Sequence, residues 1–246
     1  MIRRIIQFLS AACVLLLAAG PALLRAQAAS GMPGVEFSCL VWEPLSIAEV
    51  FYRDGKSYLP LKFSPGNRSQ LYPLKESTGL EFYEKATGAD GATTYKPVGK
   101  APLVKGARRM LFLVDPVPNS TGLPLRIFGV NDALDVFPPG TFRFLNFSSA
   151  ALQVKFAGQT NKLPAGEISV VKSNVSDKGG FLPFQIGDSD GKVVFETRLF
   201  SQPSGREMVF IGNPAEPGGL PKVKFLTQII PPEPPKPAGQ QQADSP

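Results

Sequence analysis

The chain has no histidine, two cysteines and one tryptophan among 246 residues. The missing histidine removes Ser-His-Asp and Cys-His nucleophilic catalysis, His-ligated zinc and ordinary histidine acid–base work. An enzyme built on this chain would have to use carboxylates, Lys, Tyr or a Ser-Lys pair. No pair of residues stands out for such a role, so no catalytic residue, cofactor or metal is expected. Cys13 lies in the first apolar run, and Cys39 is the only cysteine downstream of it. An intrachain disulfide in the processed chain is thereby excluded. The core must come from apolar burial, for which the chain carries 18 phenylalanines. Cys39 itself reads as a small buried strand residue.

The N-terminus is more informative. Arg3 and Arg4 precede an apolar stretch from Ile5 to Leu24, and Ala26-Gln27-Ala28 supplies a small-x-small cleavage pattern. This is the layout of a secretory signal peptide over residues 1–28, with cleavage expected after Ala28. Arg3, Arg4 and Arg25 leave with it, which lowers the formal net charge from +6 to +3. So mild a charge does not suit nucleic-acid binding, which calls for a concentrated basic face. No later apolar run is long enough to cross a bilayer as a helix. A periplasmic or extracellular location follows.

Downstream of the leader, apolar residues alternate with polar ones in short segments bounded by Gly, Pro, Asn and Asp. Phe37, Cys39 and Val41 alternate with Ser38, Leu40 and Trp42; Leu152, Val154 and Phe156 alternate with Gln153 and Lys155. Period two puts one set on one face of a sheet, and an all-β fold is predicted. Asp190-Gly191, between two apolar runs, predicts a hairpin. The neighbouring Asp188 resembles the start of a calcium loop, but the later acid such a loop needs is misplaced.

The chain also repeats itself. Residues 108–116 (RRMLFLVDP) align with 206–214 (REMVFIGNP) at an offset of 98, and 122–128 (GLPLRIF) with 219–225 (GLPKVKF) at 97. Leu61-Lys62-Phe63 further matches Val154-Lys155-Phe156. A repeat of this size suits two tandem β-sandwich domains of immunoglobulin-like dimensions, placed at 34–135 and 136–230. The Pro- and Gln-rich tail, 231–246, reads as disordered.

In the second half, residues 139–148 (PGTFRFLNFS) are followed by Leu152-Gln153-Val154 and by Leu163-Pro164-Ala165-Gly166. This resembles uncharacterised tandem β-sandwich domains of bacterial secreted and envelope proteins. The resemblance implies a sandwich fold and an envelope setting, and carries over no catalytic residue.

Candidate surfaces come from composition. Trp42, Tyr52, Tyr58, Tyr72, Tyr83 and Tyr95 all fall in the first repeat. Such rings suit half-wet positions, so they are candidates for a ligand-binding face, although the same residues also suit a strand core. Lys96, Lys100, Lys105, Arg108 and Arg109 form a basic stretch that could meet anionic envelope polymers, or could simply be solvated. Asn67, Asn119, Asn146 and Asn174 match the glycosylation pattern, which has no meaning in a bacterium. The expected function is a non-catalytic structural or binding protein of the bacterial envelope, acting through a sheet face or edge, with an envelope protein or polysaccharide as partner. Two alternatives are a periplasmic assembly chaperone for surface fibres and a carbohydrate-binding protein using the Tyr/Trp set.

Overall fold

A computed structural model describes residues 34–75, 79–117 and 120–231. The signal peptide expected at 1–28 lies outside the described residues, as does the tail beyond Pro231. The described chain is all-β. Its first eight strands are β1 (Val35–Val41), β2 (Val50–Asp54), β3 (Ser57–Leu61), β4 (Tyr72–Leu74), β5 (Gly79–Thr87), β6 (Thr93–Pro102), β7 (Arg109–Pro116) and β8 (Leu125–Asn131). The second eight are β9 (Thr141–Asn146), β10 (Leu152–Phe156), β11 (Gln159–Leu163), β12 (Ile168–Lys172), β13 (Gly180–Gly187), β14 (Val193–Ser201), β15 (Gly205–Gly212) and β16 (Lys222–Ile229).

Four four-stranded sheets result, ordered β4-β1-β7-β8, β3-β2-β5-β6, β12-β9-β15-β16 and β11-β10-β13-β14. Adding eight to each label of the first pair gives the second pair. The shared details go further. β1 runs parallel to β7, and β9 runs parallel to β15. A register shift follows Phe82 in one copy and the equivalent Ile186 in the other. The duplication is therefore topological as well as sequential, and the fold is two tandem β-sandwiches. Residues 132–140 connect β8 to β9.

The strand registers correct the repeat alignment by one residue. Glu36 faces Arg109 where Thr141 faces Arg206, and Phe37 faces Met110 where Phe142 faces Glu207. Arg109 is thus the counterpart of Arg206, an offset of 97 rather than 98. The identity-matched Met110 and Met208 point to opposite faces: Met110 lies in the first sandwich core and Met208 between the domains. A slip of one residue in a strand does this to every side chain. The match of Leu61 with Val154 also fails, because Leu61 closes its hairpin on Val50 where Leu163 closes on Leu152. Identities in alternating apolar strands recur at several offsets, and only pairing selects among them.

Each sandwich has its own core. The first holds Phe37, Cys39, Tyr52, Phe82, Met110 and Phe112, and the second Phe142, Phe144, Phe156, Phe184, Val209 and Ile211. A third cluster joins them: Leu40, Leu111, Leu113, Val130, Phe137, Leu145, Met208 and Phe210. Apart from Phe137, which lies in the connection, these residues stand on the outer faces of β1, β7 and β8 and of β9 and β15, so those two sheets pack face to face. The central strands are consequently apolar on both sides and do not alternate. Each buried side chain of this size contributes about 1.5–3 kcal/mol. The described residues from Val35 onward form one compact unit.

A charged cluster crosses the same interface. Asp132 Oδ2 accepts from Arg68 Nη2 and, at 3.0 Å, from Arg206 Nη2. Gln228 Oε1 accepts from Arg68 Nη1 at 2.8 Å and Arg206 Nη2 at 2.7 Å, and Arg206 Nη1 donates to Phe137 O at 2.7 Å. The Phe137 ring lies between two guanidiniums, 4.2 Å from that of Arg143 and 4.8 Å from that of Arg206. Burial pulls the Arg143 pKa down to about 10 and lowers that of Arg206, while Asp132 opposes both shifts. One carboxylate thus holds together guanidiniums from both domains.

Candidate functional site

The six aromatic residues singled out above separate into three places. Tyr52 and Tyr72 are core residues: their rings pack on Phe37, the Tyr52 hydroxyl donates to Pro73 O at 3.1 Å, and the Tyr72 hydroxyl to Lys62 O at 2.9 Å. Each phenol buries its ring and satisfies its tip, which places both inside the sandwich. Tyr58, Tyr83 and Tyr95 share the outer face of the β3-β2-β5-β6 sheet. Tyr58 and Tyr95 stack at 3.9 Å with an interplanar angle of 3°, and they cover Tyr83 and Phe51 through edge contacts of 4.9 and 5.2 Å. Tyr58 and Tyr95 each spend one ring face on the other and are half-buried, and Tyr83 is buried beneath them. At the matching positions of the second domain stand Gln153, Lys155, Thr160 and Lys162 in place of Phe51, Arg53, Tyr58 and Pro60.

Trp42 takes the third place, at the seam between the domains. Its ring meets Phe210 edge-on at 5.2 Å, and Lys224 Nζ sits 5.1 Å from its centroid while donating to Glu43 Oε1 at 3.1 Å. Here the two packed sheets diverge and leave a groove of about 390 Å³. Phe128 and Phe147 line it with Trp42 and Phe210, their rings meeting at 5.0 Å, and Asp115, Arg126 and Lys222 stand at its sides. Phe147 remains exposed. Apolar walls with a few oriented charges at a domain junction are the usual makings of a ligand site.

The basic residues do not form one strip. Lys96 faces Glu84 and Lys100 faces Glu81 across the β5–β6 pair. Lys105 and Arg108 lie exposed in the β6–β7 connection, and Arg109 is half-buried in β7, in the other sheet of that domain. Acids that are distant in sequence therefore stand beside two of the lysines. Asp188 uses its carboxylate within its own hairpin, accepting from Asp190 N and Lys192 N at 3.0 Å each. Gly191 supplies the positive φ, 83°, that the turn requires. Asn146, within a glycosylation pattern, is buried and donates to Ala150 O, Leu163 O and Pro164 O, tying β9 to the β11–β12 connection.

One site went unread in the sequence. Between the two sheets of the second sandwich, at the β14 and β16 side, a cavity of about 390 Å³ opens to solvent. Phe142, Phe195, Leu199, Phe225 and Thr227 line it together with Glu207, Arg198 and Arg206. The first sandwich closes the same end. There β6 packs along β8 so closely that a Cβ on Gly99 would fall 2.6 Å from Ile127 Cδ1. Leu103 and Ala107, in the six-residue β6–β7 connection, join that core. The matching β14–β15 connection has three residues, 202–204, and carries no such plug. The signal for this difference was present as unequal connection lengths, but it required the correct register to be seen. No protein-family model and no curated protein matches the sequence.

Proposed function

We propose that the chain is a non-catalytic exported protein of the bacterial cell envelope that binds a partner through an exposed sheet surface. The observation that carries this reading is the seam groove, where the outer faces of two sheets part around Trp42, Phe128, Phe147 and Phe210. The basic and apolar N-terminus supports export, and the missing histidine supports a role without catalysis. Trp42 is the only tryptophan, so its emission reports on this groove and nothing else. The purified protein should show a saturable change in that emission with an envelope polysaccharide or an envelope-protein peptide, and Phe147→Ala should abolish it. A flat response to both ligand classes would sink the proposal. For export, N-terminal sequencing of the cell-derived protein should begin at Ala29; a product that retains Met1 would count against it.

The half-exposed Trp42 ring, flanked by Glu43, Asp115 and Arg126, favours carbohydrate as a second reading, since sugars stack on such rings between polar groups. The matched strand orders of the two sandwiches count against a fibre chaperone, whose two domains differ.

A further inference from the structure

We infer that the open end of the second sandwich binds an apolar ligand carrying an ammonium head, with Glu207 as the counter-charge. The volume, about 390 Å³, lies in the range of small-molecule sites. Four phenylalanines and Leu199 supply the apolar lining, and Glu207 is the only carboxylate among the lining residues. Glu207 holds the place that Met110 fills in the first sandwich, so the fold itself does not require a carboxylate there.

The carboxyl is buried, and no cation among the described residues pairs with it. From β9 it faces Phe142, from β14 Thr197 and Leu199, and from β16 Phe225 and Thr227; none is charged. Its neighbour Arg206 turns to the opposite face and is occupied by Asp132 and Gln228. Arg198 also lines the cavity, but its guanidinium is held over the Phe181 ring at 6.0 Å and forms no ion pair with Glu207. Burial raises the Glu207 pKa to about 7, and only a hydrogen bond from Thr227 opposes the shift. A desolvated carboxylate without a cation is costly, and the cost is relieved by a partner that brings the charge. An ammonium on an apolar body satisfies both the walls and Glu207. An alcohol satisfies only the walls, and a carboxylate meets like charge.

The full chain can be titrated calorimetrically with dodecylammonium, dodecanol and dodecanoate below their aggregation limits. At about pH 8, where Glu207 is ionised, the amine should bind about tenfold or more tighter than the alcohol, the worth of one charge-assisted hydrogen bond, and dodecanoate should bind least. At about pH 5 the preference should shrink, because the carboxyl is then protonated. Glu207→Gln keeps the shape of the protonated side chain and should remove the amine preference while leaving the alcohol unchanged. Leu199→Trp, which fills the cavity, should weaken all three. Equal affinity for amine and alcohol, a preference that survives Glu207→Gln, or amine binding untouched by Leu199→Trp would each overturn the assignment. The cavity is separate from the seam groove, so the two tests fail independently.

Discussion

Arg206 Nη2 stands 3.0 Å from Asp132 Oδ2, and solvent reaches neither side chain. The pair spans the joint between the sandwiches, since Arg206 belongs to β15 and Asp132 follows β8. Removing one member of a buried pair leaves the other charge uncompensated. Asp132→Ala should therefore cost about 3–5 kcal/mol, read as a lower urea midpoint at unchanged slope. A cost under about 1 kcal/mol would show that the cluster does not hold the joint.

Glu207 makes stability depend on pH in a defined direction. Its folded pKa, about 7, lies above the ordinary 4.5, so the folded state holds the proton more tightly than the unfolded state does. The stabilisation is complete below the unfolded value and is lost as pH rises through the folded one, in all on the order of 3 kcal/mol. Glu207→Met should raise the melting temperature at about pH 8 and change it much less at about pH 4. A gain equal at both pH values would place its cause elsewhere.

Gly99 lets β6 and β8 meet. Gly99→Ala should destabilise by about 1–3 kcal/mol, because the added methyl runs into Ile127 and Leu125. Gly180, whose Cβ position is open and whose φ is ordinary, is the control. Gly180→Ala should leave the denaturation midpoint in place within about 0.5 kcal/mol.

Tyr58 covers the outer aromatic cluster of the first domain. Tyr58→Ala should cost about 1–3 kcal/mol through two lost ring contacts, whereas Tyr58→Phe should be near neutral. Thr160→Ala, at the matching position of the second domain, should also be near neutral. If the two alanine variants behave alike in chemical denaturation, the cluster contributes nothing beyond ordinary strand packing.

Fold class and duplication were legible because alternation and punctuation are local. The register was not, since Met110 and Met208 agree in identity and disagree in facing. The aromatic set divided for a related reason. Period two tells that Tyr52 and Tyr58 belong to strands, but not which face of which sheet is wet. Tyr52 went to the core, and Tyr58, on the next strand, to solvent. The groove at Trp42 lay beyond reach too, because it exists only where two sheets from different repeats part. Nothing in the local pattern singles out Glu207; only the pairing, which places it opposite Phe142, shows that it faces the core.

The parallel pairing of first and penultimate strands bears on the order of assembly. β1 sits mid-sheet between β4 and β7, and β7 arrives only when the chain has run from residue 36 to residue 109. Neither the opening strand nor the face it offers to the other domain can be completed by local hairpins. Such distant closure makes folding slow and keeps apolar edges uncovered meanwhile. Each sandwich is in effect locked by its penultimate strand, and a chain halted before residue 109 leaves its first strand unpaired on one side.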